Sequence, residues 1–316
     1  MIKVPTLYSC LLAACTILIF SACNQSGRVV DTPTAGHIRI SVDETFAPIF
    51  ESQVHTFENI YKNASIEAGY KPEGQVVQDL LNDTIRFAVL TRQLTQQETE
   101  ELAKQKLTPR ATKIAVDGVA LIVHKENRDT TLTVQQLQEI FTGKVTKWNQ
   151  LDPKSPDAPI TIVFDNSNSS TSRYIVDSIN HNQPLPANVY ASKSNSSLVD
   201  YVAQNRNAIG VIGVNWISDR DDSTATNFLK KINVVGVSAK SNPTSPDDFV
   251  QPYQAYLFQG TYPLRREVFI ISKEARAGLG TGFASFVTGD KGQRIILKSG
   301  LVPASMPVRL IGLRPE

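Results

Sequence analysis

Val163-Phe164-Asp165-Asn166-Ser167-Asn168-Ser169-Ser170-Thr171-Ser172-Arg173-Tyr174 reads as a strand end, a hydroxyl-rich turn and a helix start. The apolar run Pro159 to Phe164 has the composition of a buried strand. Behind the turn, Ile175 and Ile179 lie one helical turn apart. A strand that passes through a loop into a helix aims unpaired N–H groups and the positive end of the helix dipole at one point. Ser169, Ser170 and Thr171 add hydroxyl donors there. Such a place suits a small oxyanion held without a full counter-charge. A Ser or Thr that merely caps the helix accounts for the same residues.

Outward from that stretch the plan repeats. His37 to Val42 alternates like a strand and runs into Asp43-Glu44-Thr45-Phe46-Ala47-Pro48. A helix follows with Phe50, Val54, Phe57 and Tyr61 on one face. Ser65 to Tyr70 is a weaker strand, followed by a turn at Lys71 to Gly74 and a helix carrying Val76, Val77, Leu80 and Leu81. Ile85 to Leu90 is a third strand, ending at Thr91-Arg92. Thr95 and Glu98 form a capping box for a helix through Gln105. This alternation argues for an α/β fold with a mainly parallel sheet. Ligands of such sheets bind at the carboxyl ends of strands, so Thr45, Glu73 and Thr91 could share a site.

Further on, the long apolar run within Ile114 to Lys125 could start in one domain and finish in another. Thr133 and Gln136 cap a helix with Leu137, Ile140 and Phe141, stopped by Gly143. A helix is expected from Ser196 to Asn205, and strands at 208–214, 232–237 and 268–271. Lys240 to Gln251 reads as a loop or link. Thr281 to Lys298 reads as a helix with a break near Gly289.

The chain start reads as an address. Lys3 is a short basic region, Leu7 to Phe20 is apolar, and Ser21-Ala22 are small residues before Cys23. This is a secretory signal, too short for a comfortable span of about 20 residues. A Cys at that junction points to a lipoprotein cut before Cys23 and lipidated on it; a soluble secreted protein or an uncleaved anchor are the alternatives. The expected signal is 1–22 and the expected flexible tether 23–36. The cysteines are Cys10, Cys15 and Cys23, so the mature chain would hold no internal disulfide and no Cys-ligated zinc. A net charge of +2 implies no broad field for nucleic acid. His37, His55, His124 and His181 lack metal spacing. No Gly-x-Ser-x-Gly elbow or phosphate-cradling glycine loop is present. Neither an enzyme nor a cofactor is expected.

From about Ile38 to Pro303 the sequence resembles the phosphate-binding component of Pst-type ABC transporters, in the type II periplasmic binding-protein fold. Ile140-Phe141-Thr142-Gly143-Lys144-Val145-Thr146-Lys147-Trp148-Asn149 is similar to that family's signature. Thr45-Phe46 with Pro48, Ala208-Ile209-Gly210-Val211, Tyr262-Pro263-Leu264 and Gly300-Leu301-Val302-Pro303 also resemble family stretches. The resemblance implies two α/β lobes with mainly parallel sheets, joined by two crossover strands and closing on an anion. Lobe one would be 37–118 plus 238–316, and lobe two 119–237. It also implies a monomer, inorganic phosphate or a similar oxyanion as ligand, and an ABC permease as partner.

Carried over residue by residue, the resemblance makes Thr45 a hydroxyl contact and Phe46 a backbone N–H contact. Ser169 and Thr171 become hydroxyl and N–H donors, and Ser170 replaces a Gly. Three positions depart. Pro72-Glu73-Gly74 stands for a Ser-Ser-Gly turn. Thr91 stands where the family has an Asp that accepts the phosphate proton. Asp165 stands near the place of an Arg that pairs with the anion. Arg92 or Arg173, pointing inward, would restore the cation and leave Asp165 as proton acceptor. Asp165 paired with Arg173 would leave no proton reader. These departures also fit a degenerate relative serving as a surface adaptor or sensor, or binding another ligand.

Overall fold

The computed structural model describes residues 31–218 and 223–308. The expected signal, Cys23 and the tether up to Val30 lie outside the described residues.

The first strand–helix units form where the apolar periodicity places them. Strand β1 (Ala35–Asp43) pairs in parallel with β2 (Asn63–Lys71) and with β3 (Phe87–Leu90). Helices Ala47–Ile60 and Glu73–Leu81 connect them, and Gln96–Lys104 follows β3. The Ala47–Ile60 helix buries Phe50 and Phe57 against Phe283 through edge-on ring contacts at 6.3 and 5.3 Å.

The long apolar run becomes one strand, β4 (Arg110–His124). Further strands are β5 (Thr131–Thr133), β6 (Thr161–Phe164), β7 (Val189–Ala191) and β8 (Ala208–Gly213). The last are β9 (Ile232–Val234), β10 (Gly236–Ser238), β11 (Arg265–Ser272) and β12 (Val302–Pro303). Among the described residues the main sheet has the order β2-β1-β3-β11-β4-β8-β6-β7, with β9 and β12 also on β4. The first part of β4 pairs with β11 and β12; its last part, from Val119, pairs with β8 and β9. One strand thus serves two sets of partners. The way back is not a comparable strand among the described residues: it runs through β9, β10 and the Pro-containing stretch 239–253.

The sheet is mixed rather than mainly parallel. Parallel pairs arise inside strand–helix–strand units. The antiparallel pairs all involve β4 or β11, through which the chain passes between the two sets. Such pairs close no crossover helix, so nothing forces them parallel.

Both capping boxes anticipated from sequence are formed, Thr95 with Glu98 after β3 and Thr133 with Gln136 in the second set. Trp148 is buried and donates its indole N–H to the Asn207 carbonyl at 3.2 Å. The segment expected to be a tether is docked from Asp31 onward. Asp31 Oδ1 accepts the Leu279 N–H at 2.9 Å, at the start of helix Leu279–Thr288. Gly282 lets the segment approach, because a Cβ there would lie 1.8 Å from the Pro33 carbonyl oxygen.

Candidate functional site

The chemistry collects where the two sets of strands, running in opposite directions, point their carboxyl ends at each other. β1, β3, β6 and β8 run parallel within their sets, and their carboxyl ends deliver Asp43 to Phe46, Thr91, Asp165 to Ser170, and Gly213 to Asn215. β11 runs opposite to β1 and β3, so its beginning brings Arg266 to the same place. The β4 register sets Arg266 opposite Asp117.

At the bottom lies a seat of buried side chains. Arg266 Nε donates to Asp117 Oδ2 at 2.8 Å, and its Nη1 donates to Ser170 Oγ at 2.9 Å. Its guanidinium carbon lies 5.6 Å from the centre of the Phe46 ring. Arg266 Nη2 is buried and has no hydrogen-bond partner among the described residues. Thr45 Oγ1 lies 3.3 Å from Ser170 Oγ, joining the turn after β1 to the turn after β6. The Thr45 carbonyl accepts from Asn215 Nδ2 and Trp216 Nε1, both at 2.8 Å. Gly213 permits this closeness, since a Cβ there would fall 2.5 Å from Thr45 Cγ2.

Ser169 caps the helix that begins at Ser170, its Oγ accepting the Ser172 N–H at 3.2 Å. The capping explanation of this turn therefore holds for Ser169, while Ser170 and Thr171 face elsewhere. Thr171 Oγ1 donates to Asp165 Oδ1 at 2.9 Å and lies 2.9 Å from Ser169 Oγ. Asp165 is fully buried and its Oδ2 has no partner among the described residues. Asp43 is also buried: its Oδ1 accepts the Thr45 N–H at 3.0 Å, and the Ser170 hydroxyl is near enough to the carboxyl to favour its charged form. Burial, then the nearby Glu73 charge, pushes Asp43 up to about 7. Glu44 is also pushed up to about 7, by burial and then by Asp165 and Asp43. Burial raises Asp165 as well.

Nearer the mouth, Glu73 Oε1 accepts both the N–H and the hydroxyl of Thr91, each at 2.7 Å. Arg173 reaches across to donate to Glu73 Oε2 and, at 2.7 Å, to Thr91 Oγ1; it also pairs with Asp177 at 2.8 Å. Burial alone would raise Glu73, but the Arg173 charge and the hydrogen bonds from Arg173 and Thr91 hold it below the usual carboxylate range. Between these groups opens a cavity of about 580 Å³, lined among others by Glu73, Gln78, Arg92, Asn168, Ser169 and Arg173.

The anticipated residues therefore split. Thr45, Phe46, Asp165, Ser169, Ser170 and Thr171 meet in the seat. Thr91 and Arg173 meet at the mouth, about Glu73. Arg173 does point inward, yet its charge is taken up by Glu73 and Asp177, and Asp165 bonds to Thr171 rather than to it. Arg92 pairs bidentately with Glu98, at 2.7 Å on both contacts, and supplies no cation to the seat. Sequence reasoning missed Arg266, Asp43, Glu44 and Asp117. One signal was available: Asp117 interrupts an apolar run, and a buried acid there demands a partner.

Among the described residues, no group of three or more His, Cys, Asp or Glu is arranged to hold a metal ion, and no helix is long and apolar enough to cross a membrane.

Residues 29–291 match the profile of the PBP superfamily domain. The phosphate-binding protein PstS of Staphylococcus aureus (strain USA300) is 26% identical over 282 residues, covering 88% of this chain and 82% of that protein. Among solved structures, a protein assigned as a phosphate ABC transporter substrate-binding protein, with bound phosphate, from Clostridium perfringens matches with a TM-score of 0.71 at 23% identity, over 85% of this chain and 100% of that one. An ABC-type phosphate transport receptor from Vibrio cholerae matches with a TM-score of 0.64 at 19% identity, over 85% and 100% of the two chains. The fold is the mixed α/β fold of these structures.

Proposed function

This chain belongs to the PBP superfamily, a group of binding proteins rather than enzymes, and from that premise we propose that it is the solute-binding component of an ABC importer, taking phosphate at the seat and passing it to a permease. In this reading 37–118 plus 238–316 and 119–237 are lobes that close on the anion. The mature chain is a lipid-anchored monomer outside the cytoplasm, acylated on Cys23.

The observation that carries the reading is the free Nη2 of the buried Arg266, beside the hydroxyls of Thr45 and Ser170. An unpaired buried guanidinium N–H is costly unless an acceptor arrives. Arg presents a fork suited to oxyanions. Arg266 thereby supplies, from β11, the cation that the turn after β6 lacks. The phosphate-binding relatives and solved structures support phosphate as the oxyanion.

Titration calorimetry with inorganic phosphate tests this. The parent protein is expected to bind, and Arg266→Gln to weaken binding by a factor of at least about 10, as for loss of a charge-assisted hydrogen bond. Failure of phosphate to bind at millimolar concentration would leave the surface adaptor or sensor reading. One observation favours that second reading: the donors at the mouth are already bonded within the protein, Arg173 and Thr91 to Glu73.

A further inference from the structure

Three donors at the mouth converge on a carboxylate of the protein itself. Glu73 Oε1 accepts the backbone N–H and the hydroxyl of Thr91, and Oε2 accepts from Arg173 Nε. Arg173 Nη2 completes the ring by donating to Thr91 Oγ1 at 2.7 Å. The donors come from both sets of strands, since Thr91 follows β3 and Arg173 follows β6. A backbone N–H, a hydroxyl and a guanidinium are the groups that hold a small oxyanion. Here they hold the charged end of a side chain. Arg92 and Glu98, only six residues apart, pair within one set. Glu73 and Arg173 are 100 residues apart and meet across the cleft, with Glu73 only 2% exposed.

A free anion can reach the same donors. The cavity of about 580 Å³ is lined by both Glu73 and Arg173. A Cβ on Gly74 would meet nothing within 4 Å, so there is open room beside the carboxylate. The other charges that face the place are Asp177, bonded to Arg173, and Arg92, bonded to Glu98. With Glu73 withdrawn, Arg173 and Arg92 balance Asp177 and Glu98. The Thr91 N–H and hydroxyl and the Arg173 Nε are then left without the acceptor they now have. Buried donors in that state are costly until an anion arrives.

We propose that Thr91 and Arg173 form a second anion station, at the mouth, and that Glu73 is its resident, tethered occupant. The empty protein is thereby closed on its own carboxylate, and an incoming anion must displace Glu73 before the two sets of strands part over the seat. The proposal rests on the phosphate reading above only in naming that anion. A chain closed on itself about nine-tenths of the time binds its solute about tenfold more weakly than one that stays open. Glu73 is a built-in competitor, set against phosphate for Arg173 and Thr91.

Acetate is the probe, because it has the heavy atoms of a Glu side chain beyond Cβ. Glu73→Ala keeps Cβ and vacates the station. Calorimetry on the full protein should show saturable binding of acetate at millimolar concentration to Glu73→Ala and none to the parent. In small-angle scattering, acetate but not chloride should return the variant to the parent's radius of gyration. Glu73→Ser is run alongside so that one misfolded protein does not remove the test. Adding Arg173→Gln should abolish the acetate response. Phosphate affinity should rise at least about tenfold in Glu73→Ala, with acetate competing. No acetate binding by either variant, acetate binding that survives Arg173→Gln, or a measured phosphate affinity that does not rise without Glu73 overturns the proposal and leaves phosphate binding in place. Phosphate binding by neither the parent nor a variant overturns the phosphate reading, while the acetate arm still decides the station.

Discussion

Asp43 holds its proton up to about 7, first because it is buried and then because Glu73 faces it. Glu44 does so for similar reasons, and Asp165 shares the direction. The consequence for stability follows from the sign of the shift. In the unfolded chain these acids lose their protons near 4. Between about 4 and 7 the folded protein therefore binds more protons, and stability falls as pH rises through that window. Glu98 and Asp79 act oppositely, since their partners hold them low; what they add is lost as pH falls below about 4. Thermal unfolding should occur at a higher temperature at pH 5 than at pH 8. Asp43→Asn keeps an acceptor for the Thr45 N–H and removes the buried charge. It should raise stability at pH 8 by about 1–3 kcal/mol and shrink the pH effect; equal melting temperatures at the two pH values would contradict the argument. The hydroxyls of Thr45, Ser169, Ser170 and Thr171 were legible, because turn chemistry after a strand is local. Arg266 was not: Arg265-Arg266 reads as an ordinary basic pair until the register opposite Asp117 is known.

At the scale of elements, local signals were reliable wherever the cause was local. The boxes at Thr95 and Thr133 formed as their spacing dictates, and the break near Gly289 separates two helices. Helix Ser170–Tyr174 passes into a π-type turn, Ile175–Ile179, which the apolar spacing did not distinguish from a plain helix. Two features had no local cause. The insertion of β11 between β3 and β4 depends on pairing across well over a hundred residues. The docking of Asp31 to Pro33 depends on Gly282, far along the chain. That docking shortens the proposed leash to residues 24–30. From Cys23 to Asp31 the chain reaches at most about 28 Å, so an acylated Cys23 would hold the body close to the lipid surface. Intact-mass analysis of the native protein should find a mature chain starting at a lipid-bearing Cys23, and Cys23→Ala should leave membranes on fractionation. A mature start elsewhere rules the anchor out.

Across the whole molecule, contacts between the turn after β1, helix Glu73–Leu81 and the helix after β6 hold the two sets of strands together over the cleft. The pair of Glu73 with Arg173 is the charged member, with Glu73 almost fully buried and Arg173 28% exposed. Removing it with Glu73→Ala deletes charge-assisted hydrogen bonds worth about 1.5–3 kcal/mol. The ligand-free protein should then open, seen as a larger radius of gyration in small-angle scattering and faster amide exchange at Thr91. Unchanged scattering and exchange would show that this pair does not hold the cleft.

The position of β11 bears on how the protein is made. Residues 265–272 leave the ribosome late, yet they fill the gap between β3 and β4. The strands from Val119 to Val234 can assemble earlier, because their partners are all synthesised by then. A nascent chain stopped before Arg265 would carry Asp43, Glu73, Asp117 and Asp165 but not the guanidinium that pairs with Asp117. Without that guanidinium, Asp117 would be a buried acid with no charge partner, which disfavours its burial before β11 arrives. Seat completion therefore waits for β11, and a product truncated before it lacks the guanidinium that pairs with Asp117.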